Sequence, residues 1–297
     1  MKILVIGAEG QLARSLVERA PSHANLELTA VGRPTIDLES PMSAARRIAQ
    51  DRPDLVINAA AYTAVDQAEA EPEQAFRINA AAAGEIAEAA AGIGAALFQL
   101  STDYVFDGRS HGPIAEDAPT GPLNLYGASK LAGEAAVRAA NPAHLIIRTA
   151  WVFSPYARNF VTTLVAAAEQ GKQLTVVDDQ FGSPTSALDL ADALLAVADR
   201  IAAKTAPALG RTFHFAGVGP TSWFGLAQAI MDELELQGRA TAEVLPIPSA
   251  QWPSKAVRPA YSALDSTRFT KEFGIPAPQW RDSLAKTVER LTKPGKR

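Results

Sequence analysis

The fold is decided by the stretch Lys2-Ile3-Leu4-Val5-Ile6-Gly7-Ala8-Glu9-Gly10-Gln11-Leu12-Ala13. Its apolar run predicts a buried strand, and the glycines that follow predict a turn into a helix. Gly7, Gly10 and Ala13 have the spacing Gly-x-x-Gly-x-x-Ala. Glycines at such a turn let a pyrophosphate approach the backbone closely, and the helix N-terminus supplies N–H donors. We therefore predict a dinucleotide site here, with an ordinary strand-to-helix connection as the alternative.

Short apolar runs alternate with helical patterns along the chain. The predicted strands are 2–6, 26–31, 55–58, 95–100, 144–152 and 211–216, and the predicted helices are 10–19, 42–51, 73–93, 125–140, 159–171, 188–203, 222–237 and 280–291. Continuous apolar strands separated by helices predict a parallel sheet covered on both faces. The predicted fold class is α/β, a doubly wound, Rossmann-like parallel sheet with a smaller C-terminal substrate-binding lobe. Ligands of such folds bind beyond the carboxyl ends of the strands.

The length of 297 residues suits one large α/β domain with an appendage, or two closely joined domains. We predict that residues 1–155 form an NAD(P)-binding, Rossmann-like domain to which 186–216 return. Residues 156–185 and 217–297 are predicted to form the substrate-binding lobe, so that the two domains are interleaved in sequence.

The composition argues against several classes of function. The net charge is −4, and no run of lysine or arginine suggests a nucleic-acid groove. The absence of cysteine rules out disulfides, thiolate catalysis and cysteine zinc sites, and the cytoplasm fits best. Glu85 and Glu88 interrupt the alanine-rich run 80–98, which predicts a packed helix and not a membrane span. Four scattered histidines and the pair Asp178-Asp179 lack metal-ligand spacing, so no metal site is predicted.

The end of the second predicted strand should meet the adenosine ribose of a bound dinucleotide. An acid there accepts hydrogen bonds from a 2′-hydroxyl, whereas an arginine accommodates a 2′-phosphate. Here Arg33 follows the strand and the first acid is Asp37, so NADPH is favoured and NADH is possible. Asp37 and Leu38 are predicted to lie under the adenine. Ala60 and Ala61, after the third strand, leave room for the middle of the cofactor, although a plain alanine-rich strand end is an alternative.

Residues 126–130, Tyr-Gly-Ala-Ser-Lys, carry the predicted chemistry. A tyrosine and a lysine four residues apart project from one face of a helix, where the ammonium is expected to lower the tyrosine pKa from about 10. Tyr126 would then pass a proton to a carbonyl oxygen that Thr102 hydrogen-bonds, and Lys130 would also hold the nicotinamide ribose. Side chains carry no hydride, so a cofactor must deliver it. Alone, this pair also fits an ordinary surface helix.

Threonine, tyrosine and lysine in this order, behind a glycine-rich first turn, resemble the short-chain dehydrogenase/reductase superfamily. The stretches that extend the match are 58–66, 101–108, 122–134, 148–153, 179–185 and 258–265. Together they resemble the dTDP-4-dehydrorhamnose reductase family, in the extended, nucleotide-sugar branch of that superfamily. The resemblance implies reduction of the C4 ketone of dTDP-4-dehydro-β-L-rhamnose to dTDP-β-L-rhamnose, the last step in the synthesis of that sugar donor.

The resemblance also implies site residues, carried over position by position. The implied catalytic residues are Thr102, Tyr126 and Lys130; the implied cofactor-lining residues are Gly10, Gln11, Leu12, Asp37, Ala60, Ala61 and Tyr62; and the residues at the sugar end of the substrate are Thr102, Asp103 and Trp151. A plain core role is the alternative for Trp151. Related 4,6-dehydratases carry an acid at the position of Tyr104, so elimination of water is not expected here.

Arg258, in the predicted lobe, is a candidate for binding the pyrophosphate of the substrate, because a guanidinium matches phosphate geometry. A structural ion pair is the alternative.

Two other functions remain open from the sequence. One is a reductase or epimerase acting on another nucleotide sugar, and the other is a catalytically silent, NADP-binding regulatory subunit. The intact set of Thr102, Tyr126 and Lys130 argues against the silent subunit. The expected partner is a small-molecule nucleotide sugar, with no nucleic acid and no membrane, and the expected state is a monomer or homodimer.

Overall fold

The computed structural model describes residues 1–207 and 209–293. Residue 208, in the segment predicted to return to the first domain, and residues 294–297, at the end of the predicted lobe, lie outside the described residues. Within the described ranges, no helix combines the length and the apolar character needed to cross a membrane.

The described residues form strands and helices in the following order. The strands are β1 Lys2–Ile6, β2 Glu27–Val31, β3 Leu55–Asn58, β4 Ala96–Thr102, β5 His144–Thr149, β6 Val152–Phe153, β7 Leu174–Val177, β8 Phe181–Gly182, β9 Thr185–Ser186, β10 Arg211–His214, β11 Thr221–Ser222 and β12 Val244–Ile247. The helices are α1 Gln11–Arg19, α2 Ser43–Asp51, α3 Val65–Ala68, α4 Pro72–Phe76, α5 Ala82–Gly92, α6 Leu125–Ala140, α7 Phe160–Ala168, α8 Ala187–Ala202, α9 Trp223–Leu236, α10 Thr267–Phe273 and α11 Trp280–Thr292.

A six-stranded sheet with the order β10-β5-β4-β3-β1-β2 forms the centre, and every neighbouring pair is parallel. Successive side chains on a strand point to opposite faces. Ile3 and Val5 therefore pack in one core with α1, α8 and α10, whereas Leu4 and Ile6 pack in another with α2, α5 and α6. The predicted doubly wound α/β fold is confirmed.

A third apolar cluster lies apart from the two sheet cores. It joins α7, α9 and α11 with the parallel pair of β7 and β12. α8 and β10 pack with the central sheet, and so does α10, although α10 falls within the predicted lobe segment 217–297. Phe269 and Phe273 of α10 are fully buried against Phe213 of β10. The division into two interleaved domains stays a prediction.

The predicted helix over 73–93 is present as a continuous helical run over 72–92, but it is not α-helical throughout. A π-helical stretch, Arg77–Ala81, separates α4 from α5. Asn79 lies in this stretch and its amide bonds the backbone of Tyr62 and the hydroxyl of Ser129. A π-turn re-aims side chains that a regular helix would send elsewhere. These tertiary contacts account for the interruption, and the 3.6-residue pattern did not reveal them.

Two further differences concern short elements. The predicted strand 144–152 ends at Thr149, and Trp151 just beyond it has a φ of 47°. α10 and the pair of β7 and β12 were not predicted. β7 and β12 are four residues long, too short for a clear alternation of apolar and polar side chains.

The close contact between α6 and the π-helical stretch depends on Gly133, where an added Cβ would lie 2.0 Å from the Asn79 carbonyl oxygen. We expect Gly133→Ala to lower the free energy of unfolding by roughly 2–3 kcal/mol, because the two backbones must separate. The matched control is Gly92→Ala at the end of α5, where an added Cβ meets nothing within 4 Å. That change should be neutral or stabilise by up to about 1 kcal/mol. Urea denaturation of both variants measures the difference, and equal effects would contradict the close-packing argument.

Candidate active site

The loops that follow β1, β3, β4 and β5 share one edge of the sheet, because the carboxyl ends of parallel strands point the same way. Thr102 at the end of β4 is the register partner of Thr149 at the end of β5. β1 pairs with β3, so the turn at Gly7 adjoins the loop that begins at Asn58. The predicted cofactor turn and the predicted catalytic threonine therefore lie at the same edge.

The first turn has the geometry of an anion-binding site. Gly7 has a φ of 109°, in the left-handed region that favours glycine, and its N–H donates to Val31 O at 2.8 Å. Gly10 caps α1 without a side-chain hydrogen bond, and an added Cβ there would meet nothing within 4 Å. The first N–H groups of a helix lack intrahelical partners. Open space beside them fits a dinucleotide pyrophosphate.

The next two predicted cofactor residues have different environments. The Gln11 side chain donates to Val152 O at 3.2 Å and accepts from the Ser154 hydroxyl at 2.9 Å. It therefore ties α1 to the segment after β5. Leu12 is buried in the sheet core, so a cofactor would meet it chiefly through backbone atoms.

At the end of β2, Arg33 is highly exposed, with 75% of its side chain accessible, and its nearest acid is Glu39 at 3.9 Å. Such a loosely held guanidinium is free to meet a phosphate. Asp37 is half-buried and accepts from the Glu39 N–H at 3.1 Å, whereas Leu38 lies in the core on the second face of the sheet. Gly32 lies close against Ala8 of the first turn, which brings these two loops together.

The loop after β3 is held by side chains on neighbouring elements. Ala60 N donates to Asn58 Oδ1 at 3.3 Å, and Ala61 follows, half-exposed. Tyr62 exchanges two backbone hydrogen bonds with the Asn79 amide, at 2.9 and 3.0 Å. The Tyr62 phenol donates to Glu71 Oε2 at 2.8 Å. Asn79 thus shapes the loop directly.

Thr102, Asp103 and Tyr126 meet where β4 ends and α6 begins. Asn124 caps α6 by accepting from the Gly127 N–H at 2.8 Å, which fixes where the helix starts. The Thr102 hydroxyl donates to Asp103 Oδ1 at 3.0 Å and is also hydrogen-bonded to the Tyr126 phenol. The structure therefore brings together the predicted threonine and tyrosine.

The ionisation of Tyr126 differs from the sequence-based prediction. Burial raises the pKa of Tyr126 to about 12; the hydrogen bond with Thr102 opposes this rise, and the Asp103 charge adds to it. The predicted lowering of the Tyr126 pKa is wrong for this structure, because removing phenolate from water outweighs the favourable contacts. The phenol keeps its proton at neutral pH, as a proton donor must.

Asp103 is buried beside this phenol. Its carboxylate accepts from the Ser262 hydroxyl at 2.5 Å as well as from Thr102. Burial raises the pKa of Asp103 to about 6, with the two hydroxyls opposing the rise. The contact with Ser262 connects the end of β4 to the C-terminal part of the chain.

Lys130 lies one turn after Tyr126 and is also buried. Its ammonium donates to Leu100 O at 2.7 Å. Burial lowers the pKa of Lys130 to about 8, and the Glu134 charge opposes this fall. Lys130 is therefore still mostly charged at neutral pH.

Glu134 was missed by the sequence analysis. Its carboxylate accepts from Ser101 Oγ at 2.6 Å, from two Arg148 nitrogens at 2.8 Å each and from Arg138 at 2.6 Å. Burial raises the pKa of Glu134, but Arg148 outweighs that effect and holds it below its ordinary value. The sequence held a signal for Glu134: it follows Lys130 by four residues, as Lys130 follows Tyr126, and so lies on the same face of the helix.

Comparison with known proteins places this geometry in a family. The chain matches the family model described as RmlD substrate binding domain over residues 1–293. A curated dTDP-4-dehydrorhamnose reductase from Sinorhizobium fredii (strain NBRC 101917 / NGR234) is 41% identical over 297 residues, 100% of this chain and 99% of the relative. The chain belongs to the dTDP-4-dehydrorhamnose reductase family. The resemblance found in the sequence is confirmed.

Solved structures agree with this assignment. A dTDP-4-dehydrorhamnose reductase from Clostridium acetobutylicum ATCC 824 superimposes with a TM-score of 0.89 at 35% identity, covering 99% of this chain and 100% of the other. A dTDP-4-dehydrorhamnose reductase from Bacillus anthracis str. Ames, in complex with NADP, gives a TM-score of 0.87 at 31% identity, covering 97% and 99%.

In this member of the reductase family, Trp151 stands between the sheet edge and the third apolar cluster. Its indole stacks on Trp223 with ring centroids 3.5 Å apart and planes 6° apart. An added Cβ at Gly182 would lie 2.3 Å from the same indole. These contacts fix the ring while leaving it half-exposed, and its role toward the sugar stays a prediction.

Arg258 forms the ion pair that was its alternative interpretation. Its Nη2 lies 2.7 Å from Asp66 Oδ2. The guanidinium is also hydrogen-bonded to Tyr104, whose ring meets the Tyr126 ring edge-on with centroids 5.9 Å apart. Arg258 is therefore close to the proposed proton donor, and its role toward the pyrophosphate stays a prediction.

The remaining acidic pair serves as hydrogen-bond acceptors. Asp178 accepts from the Ser222 hydroxyl at 2.5 Å, and Asp179 accepts from the N–H and hydroxyl of Ser249, each at 2.9 Å. Across residues 1–207 and 209–293, no group of three or more His, Cys, Asp or Glu side chains is arranged to hold a metal ion.

We expect Arg148→Gln to lower the free energy of unfolding by about 3–5 kcal/mol, because it leaves the buried Glu134 carboxylate without its two best donors. Arg138→Gln is the matched control, since Arg138 bonds the same carboxylate with 39% of its side chain exposed. Its loss should cost about 1 kcal/mol or less. Urea denaturation at pH 7 measures both changes. Similar decreases in the free energy of unfolding of the two variants would contradict the conclusion that Arg148 is the main partner of the buried Glu134 carboxylate.

Proposed function

We propose that this protein reduces the C4 ketone of dTDP-4-dehydro-β-L-rhamnose to dTDP-β-L-rhamnose, with NADPH, or less favourably NADH, as reductant. The observation that carries the proposal is the set of Thr102, Tyr126 and Lys130 at the carboxyl edge of the sheet, of which Thr102 and Lys130 are buried and Tyr126 is half-buried. The family supports the substrate, since its curated members are named for this reaction.

The first turn and its neighbours fit NADPH. The residues proposed to hold it are Gly7, Gly10, Gln11, Leu12, Arg33, Asp37, Leu38, Ala60, Ala61, Tyr62, Tyr126 and Lys130. When bound there, NADPH supplies the hydride for C4. The exposed Arg33 supports a preference for the 2′-phosphate, and the Bacillus anthracis relative is in complex with NADP.

The three catalytic side chains have distinct roles in this proposal. Thr102 orients the C4 oxygen through its hydroxyl. Tyr126 gives its phenolic proton to that oxygen, so that the ketone becomes an alcohol and a phenolate remains. Lys130 stabilises this phenolate with its ammonium and holds the ribose of the cofactor.

The substrate is proposed to bind through Thr102, Asp103 and Trp151 at the sugar and through Arg258 at the pyrophosphate. Tyr104 occupies the position of the acid in 4,6-dehydratases, and burial raises its pKa further above the ordinary value. A phenol in that state is a poor acid for eliminating water. Simple ketone reduction is therefore favoured over dehydration.

The compartment and the assembly state are also proposals. Nucleotide sugars and NADPH are metabolites of the cytoplasm, and a cysteine-free chain fits that compartment. We propose that the protein is a monomer or homodimer, that its substrate is a small molecule and that it does not bind nucleic acid.

Steady-state oxidation of NADPH with the dTDP ketosugar tests the function. We expect turnover by the wild-type protein and its loss in Tyr126→Phe, because phenylalanine has no proton to give. NADPH binding, measured by fluorescence, should survive. Tyr156→Phe is the control, since that hydroxyl bonds Arg290 between α1 and α11. Retained turnover in Tyr126→Phe would remove this phenol from the mechanism.

The same assay separates the alternatives. Turnover with UDP- or GDP-linked ketosugars but not with the dTDP compound would indicate another nucleotide-sugar reductase or epimerase. Binding of NADPH with no turnover on any ketosugar would indicate the silent regulatory subunit.

The pH dependence of kcat/KM should follow Lys130. Its pKa of about 8 means that the ammonium is present below pH 8 and is lost as the pH rises through that value. We therefore expect kcat/KM to fall above about pH 8, while Tyr126, with its raised pKa, stays protonated. Stopped-flow or steady-state rates from pH 6 to 10 measure the break. A flat profile across this range would contradict the role of the Lys130 charge.

A further inference from the structure

A short segment of the C-terminal region, residues 253–258, is hydrogen-bonded to α3, the helix that follows the loop after β3, and we call it the strap. Four of its residues, Pro253, Ser254, Lys255 and Val257, are exposed, and only Ala256 is buried. It has no regular secondary structure. Its position therefore depends on specific anchors rather than on a packed core.

Asp66, in α3, is the principal anchor. Its Oδ1 accepts from the Ser254 hydroxyl at 2.8 Å, from the N–H groups of Lys255 and Ala256 at 3.0 Å each, and from Arg258 at 3.3 Å. Its Oδ2 accepts from Arg258 Nη2 at 2.7 Å. One carboxylate thus organises both the backbone and the terminal arginine of the strap.

The charge at this anchor persists over a wide pH range. Burial raises the pKa of Asp66, but the hydrogen bonds from Arg258, Ala256 and Ser254 outweigh that effect and hold it well below its ordinary value. The carboxylate itself stays 42% exposed. It can therefore orient a cation without being removed from solvent.

Arg258 faces the reaction centre from its place on the strap. Its guanidinium is hydrogen-bonded to Tyr104, and the Tyr104 ring packs edge-on against Tyr126. The strap is also held from the other side, where the Asn124 amide donates to Val257 O at 2.8 Å. The two anchors fix Arg258 relative to α6, which carries the proposed proton donor.

We propose that Asp66 is a positioning residue for the diphosphate of the nucleotide sugar: it holds the strap in place and aims the Arg258 guanidinium at the substrate. The proposal rests on the proposed function for the identity of the substrate. Its physical basis is that the Asp66 carboxylate accepts hydrogen bonds both from the strap backbone and from the Arg258 guanidinium. A guanidinium fixed in this way loses less side-chain entropy when it binds a phosphate.

Two substitutions separate these contributions. In Asp66→Asn, the amide oxygen can still accept from Ser254 and the strap N–H groups, but the amide nitrogen faces Arg258 with a donor. In Asp66→Ala, both sets of contacts are lost. The control is Asp117→Asn, which breaks a surface pair with Arg268 whose acid is 75% exposed.

Steady-state kinetics provide the first readout. We expect both Asp66 variants to raise KM for the dTDP ketosugar about tenfold or more, as for the loss of a charge-assisted hydrogen bond. KM for NADPH should change less than about twofold, and kcat less than about threefold, because the proton donor is untouched. Asp117→Asn should match the wild type. An unchanged ketosugar KM, or an equal rise in KM for NADPH, would overturn the positioning role.

Limited proteolysis provides a readout that does not need turnover. Trypsin can cut after Lys255, and mass spectrometry detects the fragment 1–255. We expect this cut to be faster in Asp66→Ala than in the wild type and Asp117→Asn, with Asp66→Asn in between. Equal rates in all four proteins would show that Asp66 does not hold the strap. If proteolysis shows that Asp66 holds the strap but the wild-type protein turns over no dTDP ketosugar, the proposed function fails while the role of Asp66 in holding the strap stands. In that case, dTDP binding to Asp66→Ala that is as tight as binding to the wild type would overturn the diphosphate role.

Discussion

The candidate active site depends on keeping the Lys130 ammonium charged inside the protein, one helical turn after Tyr126. Lys130 and Arg148 are both almost completely inside the protein, where an uncompensated charge would cost several kcal/mol. Glu134 compensates both: it forms a two-bond pair with Arg148 and raises the Lys130 pKa toward its ordinary value. The ammonium that the proposed proton transfer needs is therefore maintained by a carboxylate on the next turn of the same helix.

Helix α6 carries most of this arrangement in a fixed register. Tyr126, Lys130 and Glu134 follow one another at four-residue intervals, so they share one face. The Asn124 cap sets where that face begins, and Gly133 lets the helix approach the neighbouring π-helical stretch. A helix shifted by one residue would turn the phenol, the ammonium and its counter-charge away together.

Local patterns in the sequence predicted the helices and strands better than the ionisation of the side chains. The range of α6 and the strands β1 and β3 match the predicted bounds, because their apolar spacing and flanking residues are local signals. The Tyr126 pKa was wrong in sign, since it is set by burial, which depends on the packing of distant segments. The interruption at Asn79 escaped prediction for the same reason: its partners Tyr62 and Ser129 are 17 and 50 residues away.

These long-range contacts form a closed series of hydrogen bonds that starts and ends at α6. Asn124, which caps α6, bonds the strap, and the strap bonds Asp66. Asp66 lies in α3, four residues after Tyr62. The Tyr62 backbone is held by Asn79, which returns to α6 through Ser129. The loop proposed to meet the cofactor, the strap proposed to meet the diphosphate and the helix that carries the phenol are thus fixed to one another. Apart from the Arg258–Asp66 ion pair, these links are hydrogen bonds of ordinary strength, so the geometry of the site depends on the whole set of links rather than on any one element.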